Sequence, residues 1–135
     1  MGGVARGKKK NGKVKKDFVS WFEIPAINFQ EAVNFYNYIF EIEMEQVITD
    51  DIATAYFPVT TGVGGAITTG YSNETSSTGP LIYLNGGDDL NIVLSKVEEA
   101  GGRVIMPKTL ISENAGYFGV FIDSQGNKLA LYSKK

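Results

Sequence analysis

The chain has 135 residues, 43% hydrophobic and 21% charged, which is enough apolar material for one packed domain and too much for a chain disordered throughout. It contains no Cys and no His. Composition therefore excludes disulfides, thiolate and imidazole metal sites, cysteine nucleophiles and Ser-His-Asp triads, and leaves only carboxylate-bound ions such as Ca²⁺ or Mg²⁺.

The net charge of −2 is the sum of two unlike parts. Residues 1–17 hold seven of the 13 basic residues and one of the 15 acidic ones, a net of +6, which leaves −8 on the remainder. The basic stretch is rich in Gly and nearly free of apolar side chains, so it reads as a disordered tail preceding a single domain over 18–135. Three readings compete for the tail: a solubilising segment, an arm that binds phosphates of nucleic acid or anionic lipid, and a targeting peptide, which the lack of Ser and of an apolar face argues against. Arg6 stands where an N-myristoylation signal needs Ser or Thr. No apolar run is long enough for a membrane span or a signal peptide, so the expectation is a cytoplasmic protein with no membrane partner. The acidic body argues against a broad nucleic-acid surface, leaving at most a weak contact through the tail. Asn73-Glu74-Thr75 has the form of a glycosylation acceptor without a secretory signal before it.

Val19–Pro25 alternates and is rich in β-branched and aromatic residues, which predicts a strand. Asn28 caps a helix, with Glu31 three residues on as in a capping box, and Phe29, Ala32, Val33, Tyr36, Ile39 and Phe40 fall at helical spacing. Strands follow at Met44–Thr49, Ile52–Val59 and Gly64–Thr69, separated by Asp50-Asp51 and Thr60-Thr61-Gly62 turns. Gly62-Val63-Gly64-Gly65 lacks the helix and Lys of a phosphate loop. Gly70–Gly79 is a polar linker. The order then repeats: a strand at Pro80–Asn85, a Gly86-Gly87 turn, and a helix capped by Asp88 or Asp89 with Leu90, Val93, Leu94 and Val97 as its stripe. Gly101-Gly102 stops that helix. Strands close the chain at Val104–Met106, Tyr117–Ile122 and Leu129–Tyr132, with Ser124-Gln125-Gly126-Asn127 as the last hairpin turn.

Offsets of 61 and 64 bring the halves into coincidence: Asn28 falls on Asp89 and Phe29 on Leu90, then Phe57 on Phe121 and Ala66 on Ala130. The expected fold is α+β, two tandem βαβββ modules (about 18–70 and 79–133) forming a curved mixed-sheet cleft for a small ligand.

Several fragments on this repeat resemble the vicinal oxygen chelate superfamily of glyoxalase I, extradiol dioxygenases and bleomycin resistance proteins. They are Trp21-Phe22-Glu23-Ile24-Pro25, Glu31-Ala32-Val33-Asn34-Phe35-Tyr36, Val97-Glu98-Glu99-Ala100-Gly101-Gly102, Pro107-Lys108-Thr109, Gly116-Tyr117-Phe118 and Asp123-Ser124-Gln125-Gly126-Asn127. The chain looks closest to glyoxalase-like members related to lactoylglutathione lyase. The resemblance places the superfamily's metal ligands at Trp21, at Leu81 (or Ile82), at Ala66 (or Gly65) and at Ala130. None of these donates to a metal, so the resemblance implies no metal cofactor and argues against glyoxalase I or dioxygenase chemistry.

If Trp21 sits at a ligand position, strand alternation turns Trp21, Glu23 and Pro25 into the cleft. Leu81, Tyr83 and Asn85 then face it from the second module, with Ala66, Thr68, Ala130 and Tyr132 from the last strands. Tyr117 is a further candidate, though Tyr117 and Phe118 after Gly116 read more as core and lid residues than as ligand platforms, beside an Asn114-Ala115-Gly116 loop able to move over the cleft. Such a lining suits a flat or aromatic ligand. Glu23 is the candidate catalytic residue, a general base or an anchor for an amine, against the reading that it is held in a structural network. Trp21 is likewise either a ligand platform or core packing. Three functions follow as expectations: a metal-free small-molecule binder acting as a homodimer, as the resemblance to bleomycin resistance proteins implies; a cofactor-independent isomerase or lyase using Glu23; or partner or nucleic-acid binding through the tail.

Overall fold

A computed structural model describes residues 13–70 and 74–135. Most of the basic tail and Asn73 thus lie outside the described residues, as does the centre of the linker. Lys13–Ser20 are exposed and belong to no helix or strand. No helix among the described residues is long and apolar enough to cross a membrane.

The α+β architecture is built twice. The first unit comprises β1 (Trp21–Pro25), α1 (Phe29–Phe40), β2 (Glu45–Ile48), β3 (Ala53–Tyr56) and β4 (Gly64–Thr69). The second comprises β5 (Tyr83–Asn85), α2 (Asn91–Leu94), β6 (Arg103–Ser112), β7 (Gly116–Ile122) and β8 (Lys128–Ser133). Each folds into a four-stranded sheet of one order, β1-β4-β3-β2 and β5-β8-β7-β6, in which the first strand runs parallel to the last. The registers correspond: Glu23 lies opposite Ala66, and Tyr83 lies opposite Ala130.

The first helix forms as its spacing predicts. Ala32, Val33, Phe35, Tyr36 and Ile39 are its buried stripe, and the Asn28 side chain accepts the Glu31 N–H at 3.0 Å. The return arm of the expected capping box is different. Glu31 does not reach back to Asn28; Gln125 Oε1, from the far end of the chain, accepts the N–H groups of Ile27 (2.9 Å) and Asn28 (2.7 Å). Glu31 instead accepts from Gln125 Nε2 at 2.8 Å.

β1, β3 and β5 are shorter than the strands expected at Val19–Pro25, Ile52–Val59 and Pro80–Asn85, and two further elements differ in kind. The second helix has one α-helical turn, after which bonds such as Lys96 N–H to Val93 C=O and Val97 N–H to Leu94 C=O tighten the chain toward a 3₁₀ path. Its stripe is nonetheless buried as expected, and Gly101, at φ 108°, ends it with the Gly102 N–H on the Val97 carbonyl. β6 runs on to Ser112, because two irregularities around Met106 and Thr109 absorb Pro107 on an edge strand where its missing N–H costs no ladder bond.

One hydrophobic core serves both units. Phe35 packs on Tyr36 and on Phe121, with ring centroids 4.9 and 6.1 Å away, and Tyr36 meets Phe57 edge-on at 5.5 Å. The units are also pinned by a buried polar cluster. The Tyr36 hydroxyl donates to Asp123 Oδ2 at 2.8 Å, while Asp123 also accepts from the N–H groups of Gln125 and Asn127 and from Asn127 Nδ2. Asn127 Nδ2 donates in addition to the Pro25 carbonyl at 2.9 Å. Burial, and then the Asp123 charge, holds the Tyr36 hydroxyl well above the usual tyrosine pKa.

Candidate functional site

Alternation along β1 sends Phe22 and Ile24 inward and leaves Trp21 and Glu23 exposed on the other face of the sheet. There the Trp21 ring lies 6.1 Å from Tyr56, and its Nε1–H donates to Glu23 Oε2 at 3.2 Å. Ala66, opposite Glu23, is buried. Glu23 also borders a recess of about 250 Å³ beside Pro25, Ile82 and Lys128.

The second sheet repeats this face with Tyr83, Asn85, Ala130 and Tyr132. Tyr83 lies 6.4 Å from Phe118, and the Tyr132 hydroxyl donates to the Ala115 carbonyl. Tyr117 is on the opposite face: Phe118 pairs with Tyr132 and Tyr117 with Ser133, and Tyr117 packs on the core with Lys108 Nζ 4.6 Å from its ring centre.

The cavity that both units line is not built from these two faces alone. It has a volume of about 670 Å³ and lies between the inward face of β1 and β4, the end of α1, and residues 80–85. Of the residues expected to bind ligand, Leu81, Tyr83 and Asn85 border this cavity. Trp21, Glu23, Ala66, Ala130, Tyr132 and Tyr117 do not. Phe22 and Phe57 form its aromatic wall, centroids 5.6 Å apart, with Phe40 and Ile42 beside them. Gly65 makes that wall possible, because a Cβ there would sit 2.3 Å from Phe22 Cε1. Among the described residues no charged side chain lines the cavity.

Sequence reasoning missed Phe22 and Phe57 and reached Gly65 only as the alternative metal-ligand position. The available signal was the Gly64-Gly65 pair itself, since glycine inside a strand marks a close approach.

The positions that the resemblance assigns to metal ligands hold Trp21, Leu81, Ala66 and Ala130, and neither their side chains nor the alternatives Ile82 and Gly65 supply a donor. Among the described residues no three Asp or Glu side chains converge elsewhere. The residues present do not fit the superfamily's metal.

The paired βαβββ topology with these clefts is the fold of the glyoxalase/bleomycin resistance/dioxygenase proteins, the vicinal oxygen chelate architecture. No protein-family model matches the sequence, and no curated protein matches it. Solved structures do. A glyoxalase/bleomycin resistance protein from Albidiferax ferrireducens superposes with a TM-score of 0.64 at 13% identity, over 88% of this chain and 100% of that one. TnmS3, an antibiotic binding protein from a Streptomyces species, gives 0.64 at 17% identity, over 91% and 100%. A glyoxalase I mutant from Zea mays gives 0.67 at 13% identity, over 84% of this chain but 45% of that one.

Proposed function

We propose that this chain binds a small, flat, largely apolar molecule in the cavity between its two units, without a metal ion, and acts as a homodimer. The observation that carries the reading is the cavity wall. Phe22 and Phe57 from the first unit face Leu81 and Tyr83 from the second across about 670 Å³, a volume within the range of small-molecule sites. Such walls favour a ligand held by stacking and apolar contact rather than by charge. The donor-free ligand positions support metal independence. The likeness to a protein described as antibiotic binding agrees with a binding role. The dimer is supported by the exposed apolar surface of the first sheet, where Trp21, Val47 and Tyr56 are 45%, 47% and 38% accessible.

The single tryptophan is a convenient reporter, because its ring lies against Gly64, a residue of the cavity rim. Titration with N-phenyl-1-naphthylamine, a neutral aromatic probe, is expected to give saturable binding with a change in Trp21 emission and a raised melting temperature. Absence of binding across a panel of neutral aromatics would overturn the reading. Tight stoichiometric uptake of Zn²⁺, Ni²⁺ or Fe²⁺ in equilibrium dialysis would overturn its metal-free part, and a monomer by sedimentation at micromolar concentration its dimeric part.

A further inference from the structure

We infer that the mouth of the cavity selects an uncharged ligand carrying a hydrogen-bond acceptor, a ring carbonyl or ether, recognised by the side-chain amide N–H₂ of Asn85. This deepens the proposed function and rests on it.

The argument turns on which way the Asn85 amide faces. The Gly87 N–H donates to Asn85 Oδ1 at 2.9 Å. A backbone N–H can only donate, so one lone pair of the amide oxygen is taken by the turn, and the two Nδ2 hydrogens are the donors that Asn85 offers. The turn itself is held. Gly87 has φ 79°, and the Gly86 N–H donates to the Tyr132 carbonyl at 2.7 Å. A side chain at Gly86 would meet Leu90 Cβ at 2.7 Å and the Tyr132 carbonyl oxygen at 2.9 Å. Asn85 therefore presents a donor without first losing rotamer freedom, which favours its use in recognition.

Asn85 is exposed, at the rim, and Tyr83 next along the same face also borders the cavity. The Tyr83 hydroxyl can donate or accept and so does not by itself set the polarity of the ligand. Charge is set by what is missing nearby. Lys108 is engaged with Asp89 at 2.8 Å and with the Tyr117 ring, and Lys96 with Glu41. Neither lines the cavity. A carboxylate or phosphate entering between Phe22, Phe57 and Leu81 would lose its water without gaining a cation from the described residues that line the cavity.

Three probes of one shape separate these terms: fluorene, which has no acceptor; 9-fluorenone, which adds a carbonyl; and 9-oxofluorene-2-carboxylate, which adds a charge. The wild-type chain is expected to bind fluorenone about three- to tenfold more tightly than fluorene, as one hydrogen bond provides, and the carboxylate most weakly. Asn85→Asp keeps an oxygen for the Gly87 N–H but removes the donor. It is expected to erase the fluorenone preference, read as the ratio of the fluorenone and fluorene affinities. Equal binding of fluorene and fluorenone by the wild-type chain overturns the inference even if the variant fails to fold, and leaves the cavity reading standing. Binding of none of the three overturns the cavity reading, and the inference with it. Tightest binding of the carboxylate overturns the neutral-ligand assignment alone.

Discussion

Removing one oxygen from the buried cluster between the two units tests whether that cluster holds them together. Tyr36→Phe leaves the ring that packs on Phe35 and Phe57 and deletes only the hydroxyl that donates to Asp123 Oδ2 at 2.8 Å. Both residues are buried, Tyr36 at 0% and Asp123 at 3% exposure, so water does not replace the lost donor. Asp123 keeps three other donors, from the N–H groups of Gln125 and Asn127 and from Asn127 Nδ2, so the carboxylate is weakened rather than orphaned. A hydrogen bond to a charged acceptor contributes about 1.5–3 kcal/mol. At about 4 °C per kcal/mol for a domain of this size, the melting temperature is expected to fall by about 6–12 °C. Urea and thermal unfolding followed by far-ultraviolet circular dichroism measure both quantities. The exposed Tyr38, whose hydroxyl donates to Glu99, provides a control in Tyr38→Phe, which is expected to leave the midpoint nearly unchanged. A Tyr36→Phe midpoint within 1 °C of wild type would refute the argument that Tyr36 and Asp123 pin the units.

The same hydroxyl sets an alkaline limit. Its folded-state pKa lies above the ordinary value of 10.0, so below pH 10 its contribution is complete. Above that the unfolded chain releases the proton first and stability falls. Wild type is expected to lose stability more steeply than Tyr36→Phe above about pH 10 in urea melts, and parallel curves would exclude the effect. Gly65→Ala is expected to push the Phe22 ring toward the cavity and lower affinity for a neutral aromatic probe about tenfold or more, with the circular dichroism spectrum retained. Unchanged affinity would mean that the ligand lies elsewhere. Gln125→Ala removes the acceptor for the Ile27 and Asn28 N–H groups and is expected to cost about 1–3 kcal/mol in urea unfolding. A loss below about 0.5 kcal/mol would show that water replaces it.

What was legible in the sequence was what neighbouring residues decide among themselves. Asn28 and Glu31 marked the start of α1, Gly101-Gly102 marked the stop of the second helical segment, and the offsets of 61 and 64 exposed the duplicated topology. β6 extends beyond the expected Val104–Met106 through Pro107, which an edge position with bulges accommodates. The capping role of Gln125 was invisible in the sequence. It acts on Asn28 across 97 residues, and nothing near either one announces the other. Three of the nine residues expected to bind ligand border the cavity. Leu81, Tyr83 and Asn85 were reached by following the repeat. The aromatic wall was not, because alternation correctly turned Phe22 away from Trp21 and Glu23, and the inward face of a strand is ordinarily core. Here that face opens into a cavity because Gly65 lets the Phe22 ring lie against the sheet.

The turn around Gln125 also bears on how the molecule is made. During synthesis the first unit leaves the ribosome with the Ile27 and Asn28 N–H groups unsatisfied by protein, and the side chain that accepts them is translated nearly a hundred residues later. The buried Tyr36 hydroxyl waits equally long for Asp123. Loop closure on that scale precedes any gain from the contact, which slows the last stage of folding. An N-terminal fragment ending at the linker would keep the Asn28 cap but lack the acceptor for the Ile27 and Asn28 N–H groups and the partner of its most buried tyrosine. What began as two copies of one pattern is therefore a single folding unit, and neither copy is a self-sufficient part to be transplanted.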